Sequence, residues 1–74
     1  MMTVARRKKK AWMTGEQLAA IREALGLTQV ELAECLDLTS VMVSTYERGA
    51  SPIPKPLAVL MKAARDGKIK LTRN

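Results

Sequence analysis

The chain has 74 residues, of which 13 are Lys or Arg and 7 are Asp or Glu, and it contains one Cys and no His. This length predicts one small domain, and the composition excludes an imidazole base, an internal disulfide and a cysteine-based zinc site. We therefore expect a protein that is not an enzyme and that needs no cofactor, no metal and no small-molecule substrate.

The positive charge is concentrated at the start of the chain. Residues 1–11 contain five basic residues and no acidic one, whereas residues 12–74 contain the other eight basic residues and all seven acidic ones. Such a run predicts a flexible arm that contacts a nucleic acid, with a merely solvated terminus as the alternative. The basic residues of the arm are Arg6, Arg7, Lys8, Lys9 and Lys10.

Two capping-box patterns predict where the first two helices begin. Thr14 is followed three residues later by Gln17, and apolar residues then recur at helical spacing until the next glycine. Thr28 followed by Glu31 repeats the pattern. The second helix is expected to end near Asp37, after only two turns.

Two further helices and an extended tail complete the predicted layout. The third helix covers Ser40–Arg48, and the prolines that follow it delay the fourth helix until about Pro54 to Pro56. In the tail, Lys68–Thr72 alternates polar and apolar residues, which is a weak strand signal. The predicted core residues are Leu18, Ile21, Leu25, Leu32, Ala33, Leu36, Leu38, Val43, Tyr46, Leu57, Leu60 and Met61.

The segment Leu27–Gly49 contains the sequences LTQ, ELA and ERG at a characteristic spacing. Over about Gly15 to Ala64 the chain resembles the phage repressor and Cro family of helix-turn-helix proteins, the XRE-like or Cro/C1-type regulators. The resemblance implies an all-α, lambda-repressor-like bundle of four or five short helices. It divides the chain into a basic arm (1–11), a DNA-binding domain (12–67) and a tail (68–74) that is a candidate dimerisation strand.

The resemblance also implies a role for individual residues. The expected base contacts are Ser40, Val41, Met42 and Thr45. The expected backbone contacts, besides the arm, are Thr28, Gln29, Ser44, Arg48 and Lys55. Arg22 and Glu47 match a structural ion pair. Asp37 occupies a turn position that the family usually gives to Gly, so we expect a left-handed backbone there at a cost of about 1 kcal/mol.

The expected base contacts contain no Arg, Lys, Asn or Gln, so the strong bidentate pairings to guanine and adenine are missing. Specificity is therefore expected from thymine methyl groups, hydroxyl contacts and DNA shape. The resulting hypothesis is a sequence-specific double-stranded DNA-binding transcriptional regulator, a repressor, that inserts the third helix in the major groove while the arm grips the backbone or minor groove. Its operator would be an inverted repeat bound by a homodimer.

Several alternatives stay open at this point. The dimer contact is expected in the fourth helix and the tail, with strand pairing by Lys68–Thr72 as one form, or at Trp12 and Met13. An antitoxin or adaptor-type protein-interaction module could use the same fold. RNA binding would need more aromatic side chains than the chain contains. Because no apolar stretch approaches the roughly 20 residues of a membrane helix, we expect a cytoplasmic protein. The resemblance implies that a bacterium or phage encodes it.

Overall fold

A computed structural model of the chain describes residues 12–72, so the predicted contacts of Arg6 to Lys10 lie outside the described residues. The described part contains four helices and no strand. The helices are α1 (Gly15–Ala24), α2 (Gln29–Leu36), α3 (Ser40–Glu47) and α4 (Lys55–Arg65). The third helix, α3, packs against both α1 and α2, and α4 packs against α1. The predicted small all-α bundle is confirmed.

Reciprocal hydrogen bonds between side chain and backbone define the starts of α1 and α2. The Thr14 hydroxyl accepts a hydrogen bond from the Gln17 backbone N–H (3.0 Å), and the Gln17 side chain accepts one from the Thr14 backbone N–H (2.9 Å). Thr28 and Glu31 make the same pair of bonds at 3.0 and 2.9 Å. Both predicted capping boxes are therefore present.

The core contains buried apolar side chains from all four helices, from the segment before α1 and from the loop between α3 and α4. They are Met13, Leu18, Ile21, Leu32, Ala33, Val43, Ile53, Ala58, Met61 and Ala64. Half of the predicted core residues are fully buried. The others are only partly buried, because helices of two to three turns cover a small core incompletely. These partly buried residues are Leu25, Leu36, Leu38, Tyr46, Leu57 and Leu60.

Met13 and Ile53 are core residues that the sequence pattern did not predict. Each is 2% exposed. Ile53 lies in the proline-rich loop before α4, and its side chain turns back into the core although its backbone is irregular. The expectation that Met13 is available for a dimer contact is wrong, because its side chain is already buried within its own chain.

The tail does not form the predicted strand within the described residues. The Lys68 backbone N–H donates to the Ala63 carbonyl of α4 (2.9 Å), so the chain first turns back on the helix. Leu71 packs against the core, and Ile69 stays 39% exposed. Two alternating apolar residues are too few to hold a strand that has no partner in the same chain.

Candidate nucleic-acid interface

Residues 37–39 form the turn that joins α2 to α3. Asp37 has φ 59° and ψ 40°, the left-handed conformation expected from the sequence. The Leu38 backbone N–H donates to a carbonyl of α2 (2.8 Å), and the Thr39 hydroxyl caps α3 by accepting from the Met42 N–H (3.1 Å). Because both ends of the turn are hydrogen-bonded, the turn holds α3 in a defined orientation relative to α2.

One side of α3 is buried and the other faces outward. Val43 is 1% exposed and belongs to the core, whereas Val41 is 69% and Met42 37% exposed. Ser40 and Thr45 are half-buried. Positions 41, 42 and 45 share one helix face because residues three and four apart are neighbours on a helix. The four predicted base-contacting residues thus include the most outward positions of α3.

Thr45 presents a hydrogen-bond acceptor and a methyl group at this face. Its hydroxyl donates to the Val41 carbonyl one turn earlier (2.8 Å). A hydroxyl has a single proton, so while this bond is made the oxygen can only accept from an outside group. In the major groove, adenine and cytosine offer amino groups that donate, and thymine offers its methyl group.

A partly buried ion pair connects α1 to α3. Arg22 Nε lies 2.6 Å from Glu47 Oε2, and Arg22 Nη1 donates to the Leu27 carbonyl (2.8 Å). The two charged side chains are only 13% and 9% exposed. The hydrogen bond to Glu47 is the main reason why the pKa of Arg22 is raised above its ordinary value. The structure brings together the two residues that the resemblance pairs, and neither charge faces the solvent alone.

Gln29, at the start of α2, joins this pair. Its side-chain nitrogen donates to Glu47 Oε1 (2.9 Å). A carboxamide nitrogen carries two protons, so one N–H remains for an outside acceptor such as a phosphate. The neighbouring Thr28 hydroxyl accepts the capping bond and keeps its own proton available. The network thus holds the predicted phosphate-contacting amide of Gln29 in place.

Two exposed cations lie at the ends of the loop between α3 and α4. Arg48 follows the last residue of α3, and its Nε donates to the Ser44 carbonyl (3.4 Å). Lys55 is the first residue of α4, and its Nζ lies 5.0 Å from the centre of the Trp12 ring. Both predicted backbone-contacting cations are therefore exposed and reach outward from the loop.

Sequence reasoning missed two features of this region. Gly15 lies where a Cβ would come within 2.3 Å of the Glu47 carbonyl oxygen, so no larger residue fits at the start of α1. A glycine inside a helix was the available signal. The contact of Trp12 with Lys55 joins residues far apart in the sequence, so no local sequence pattern predicts it.

Other kinds of site are not evident in the described part of the chain. Residues 12–72 contain no group of three or more Cys, Asp or Glu side chains arranged to hold a metal ion. None of the helices in this range is long and apolar enough to cross a membrane.

Comparison with known proteins identifies the class. The model of a helix-turn-helix domain matches residues 14–65, which include all four helices, and the chain belongs to this family. It is similar to the HTH-type transcriptional regulator PrpR of Mycobacterium tuberculosis, with 36% identity over 61 residues. The matched segment is 82% of this chain and only 12% of that much longer protein.

Proposed function

We propose that this chain is a sequence-specific double-stranded DNA-binding transcriptional regulator that acts as a repressor. The observation that carries the proposal is the exposed face of α3. Hydrogen bonds at both ends of the turn between α2 and α3 fix the orientation of this helix. A protruding helix of this kind fits the major groove, which is roughly 12 Å wide. The similarity to a protein named as a transcriptional regulator supports the same function.

Affinity and specificity are carried by different residues in this proposal. Gln29, Arg48 and Lys55 contact phosphates, together with Thr28, Ser44 and the basic arm, and these contacts are independent of sequence. The face of α3 reads the bases with the apolar side chains of Val41 and Met42 and with the hydroxyl groups of Ser40 and Thr45. Since the Thr45 oxygen accepts and the apolar groups pack on methyl groups, we expect A·T pairs in the half-site.

The proposed regulator binds as a homodimer on an inverted repeat. One recognition helix contacts only a few base pairs, and two-fold dimers place their half-sites about 34 Å apart. Exposed apolar residues on α4 and the tail, Val59 (56%) and Ile69 (39%), support the dimer contact in this region. The proposed function places the chain with the chromosome in the cytoplasm of a bacterium.

A protein-interaction module, such as an antitoxin or adaptor, is the second candidate. One specific observation favours it. Val41 is 69% exposed, and an apolar recognition face suits a protein partner as well as it suits DNA. The two functions differ in whether the purified chain alone protects a DNA sequence.

Footprinting on the promoter region of the chain's own gene tests the proposal. We expect the wild-type chain to protect an inverted repeat whose half-sites lie about one helical turn apart. Val41→Glu should weaken binding about 100-fold, because a carboxylate on the exposed α3 face meets the negative field of the groove. Gel shift on the protected sequence measures this change.

The matched control is Ala20→Glu, which adds the same charge at an exposed position of α1. It should bind within about twofold of wild type, since a single surface charge away from the site has little effect. Absence of a protected sequence would contradict DNA-binding regulation and favour the protein-interaction module. Equal binding by Val41→Glu and wild type would contradict the role of α3.

A further inference from the structure

Trp12 lies against one side of α4 and outside the core. Its side chain is 56% exposed, whereas that of the next residue, Met13, is 2% exposed and anchors the chain there. Lys55 Nζ lies 5.0 Å from the centre of the Trp12 ring, and Lys62 Nζ donates to the Trp12 backbone carbonyl (3.4 Å). Lys55 and Lys62 are seven residues apart and share one side of α4. Trp12 therefore bridges two lysines of the same helix face.

The contact between Lys55 and the Trp12 ring is too weak to be explained by a contribution to the stability of the fold. A contact between a cation and an exposed ring is weak, and more than half of Trp12 remains in water. Lys55 is also the first residue of α4, where the positive end of the helix repels a cation. Pro54 offers no side-chain cap, and the first turn has no acidic residue. An anion would relieve this local excess of positive charge.

Holding Lys55 in one position before binding lowers the entropic cost of its contact with a partner. A lysine side chain has many rotamers, and fixing it on binding costs free energy. A ring beneath the side chain restricts those rotamers before the partner arrives. The run of five basic residues in the arm also joins the folded region at Trp12. Trp12 thus follows the basic arm closely in the sequence and contacts Lys55 in the fold.

We propose that Trp12 is a positioning residue that holds the Lys55 ammonium group for contact with a DNA phosphate. The inference rests on the proposed function and adds a residue to it. Trp12 acts through Lys55, so its effect on DNA binding depends on Lys55 being present. The same dependence distinguishes positioning from a general role in folding.

The contact itself is tested without DNA. Trp12 is the single tryptophan of the chain, so fluorescence excited at wavelengths that Tyr46 does not absorb reports on this site alone. Lys55→Gln should change the emission of the free protein, and Lys68→Gln, which removes the same charge from the tail, should leave it unchanged. Identical spectra for wild type and Lys55→Gln would overturn the proposal.

The role in binding is tested by a double-mutant cycle on a duplex of the protected sequence, with fluorescence anisotropy at several salt concentrations. Trp12→Leu should weaken binding about 2- to 10-fold, because DNA binding must then restrict the rotamers of one lysine side chain that the ring no longer holds. Trp12→Phe, which keeps a ring, should bind within about twofold of wild type. In the Lys55→Gln background, Trp12→Leu should have no further effect, whereas in the Lys68→Gln background its full effect should persist.

Equal weakening by Trp12→Leu with and without Lys55 would overturn the positioning role while the proposed function stands. A weakening by Trp12→Phe as large as that by Trp12→Leu would do the same. If the wild-type chain binds no DNA, both proposals fail. Urea unfolding of each variant separates a folding defect from a binding defect. If Trp12→Leu is unstable, the fluorescence comparison of wild type with Lys55→Gln still tests the contact on which the proposal rests.

Discussion

The Arg22–Glu47 pair connects α1 to the end of α3, the helix proposed to contact DNA. Glu47 lies near the end of α3, where an uncompensated carboxylate would repel a phosphate. Arg22 and Gln29 both donate to it, so its charge is matched within the protein. The three residues come from α1, α2 and α3, and their bonds connect the helices that carry the site. Arg22 is therefore a structural cation, although its charge alone would suggest contact with nucleic acid.

Arg22→Met should lower the free energy of unfolding by about 3 kcal/mol, because it leaves the Glu47 carboxylate buried without its cation. A chain of this length has a total stability of roughly 4 to 11 kcal/mol, so the decrease should be large. Urea unfolding followed by circular dichroism measures it. Because the pKa of Arg22 is raised above its ordinary value, the contribution of its charge is fully present below that ordinary pKa and is lost only as the pH rises through the raised one.

Arg65→Met is the matched control for this substitution. Arg65 pairs with Asp66 at 3.0 Å, but the two side chains are 51% and 45% exposed. An exposed pair contributes about 0 to 1 kcal/mol because water screens it. Equal decreases for the two variants would contradict the conclusion that burial gives the Arg22–Glu47 pair its importance.

At the scale of the element, α3 combines a stable position with a chemically simple outward face. Its start is capped by Thr39, and Val43 anchors it in the core. Its outward residues form few directional bonds, since Val41 and Met42 have no polar side-chain atoms other than sulfur. Recognition by such a face depends on close packing, and thymine methyl groups are the natural partners in the major groove.

Replacing thymine by uracil in the protected half-site should therefore weaken binding. Uracil lacks only the methyl group, and removing one buried methyl group costs about 0.8 kcal/mol, or roughly fourfold in Kd. Gel shifts on duplexes with single substitutions measure the effect at each position. In the Val41→Ser variant, replacing the thymine that Val41 contacts by uracil should weaken binding less than it does in the wild-type chain. If no thymine in the half-site is sensitive, apolar readout by α3 is wrong.

At the scale of the whole molecule, local features could be predicted from the sequence itself, whereas the long-range pair of Arg22 and Glu47 could be predicted only through the family resemblance. Capping boxes depend on residues three positions apart, so they can be inferred from local sequence. The left-handed backbone at Asp37 was expected only because the resembling family usually has Gly at that turn position. The burial of Ile53 and the contact of Trp12 with Lys55 depend on how distant segments pack. Pairing of the tail as a strand in a dimer stays a prediction, since a strand needs a partner that neither the local sequence nor a single chain specifies.

The charge distribution separates the molecule into a basic arm and a nearly neutral remainder, with eight basic and seven acidic residues at positions 12–74. If the arm supplies much of the electrostatic attraction to the DNA phosphates, its removal should change the salt dependence of DNA binding more than the sequence preference. Deleting residues 1–10 should reduce the slope of log K against log salt by about 0.9 for each phosphate that the arm neutralises. Anisotropy titrations across salt concentrations, on the protected sequence and on a scrambled duplex, measure both quantities.

A control chain in which all five arm cations are replaced by Gln keeps the length of the arm and removes only its charge. It should match the deletion, because sequence-independent phosphate binding depends on charge. A slope that stays at the wild-type value in both variants would make the arm a solvated terminus. Sequence-independent phosphate binding would then depend on Gln29, Arg48 and Lys55. If instead the arm read bases in the minor groove, both variants would lose preference for the protected sequence over the scrambled duplex at every salt concentration.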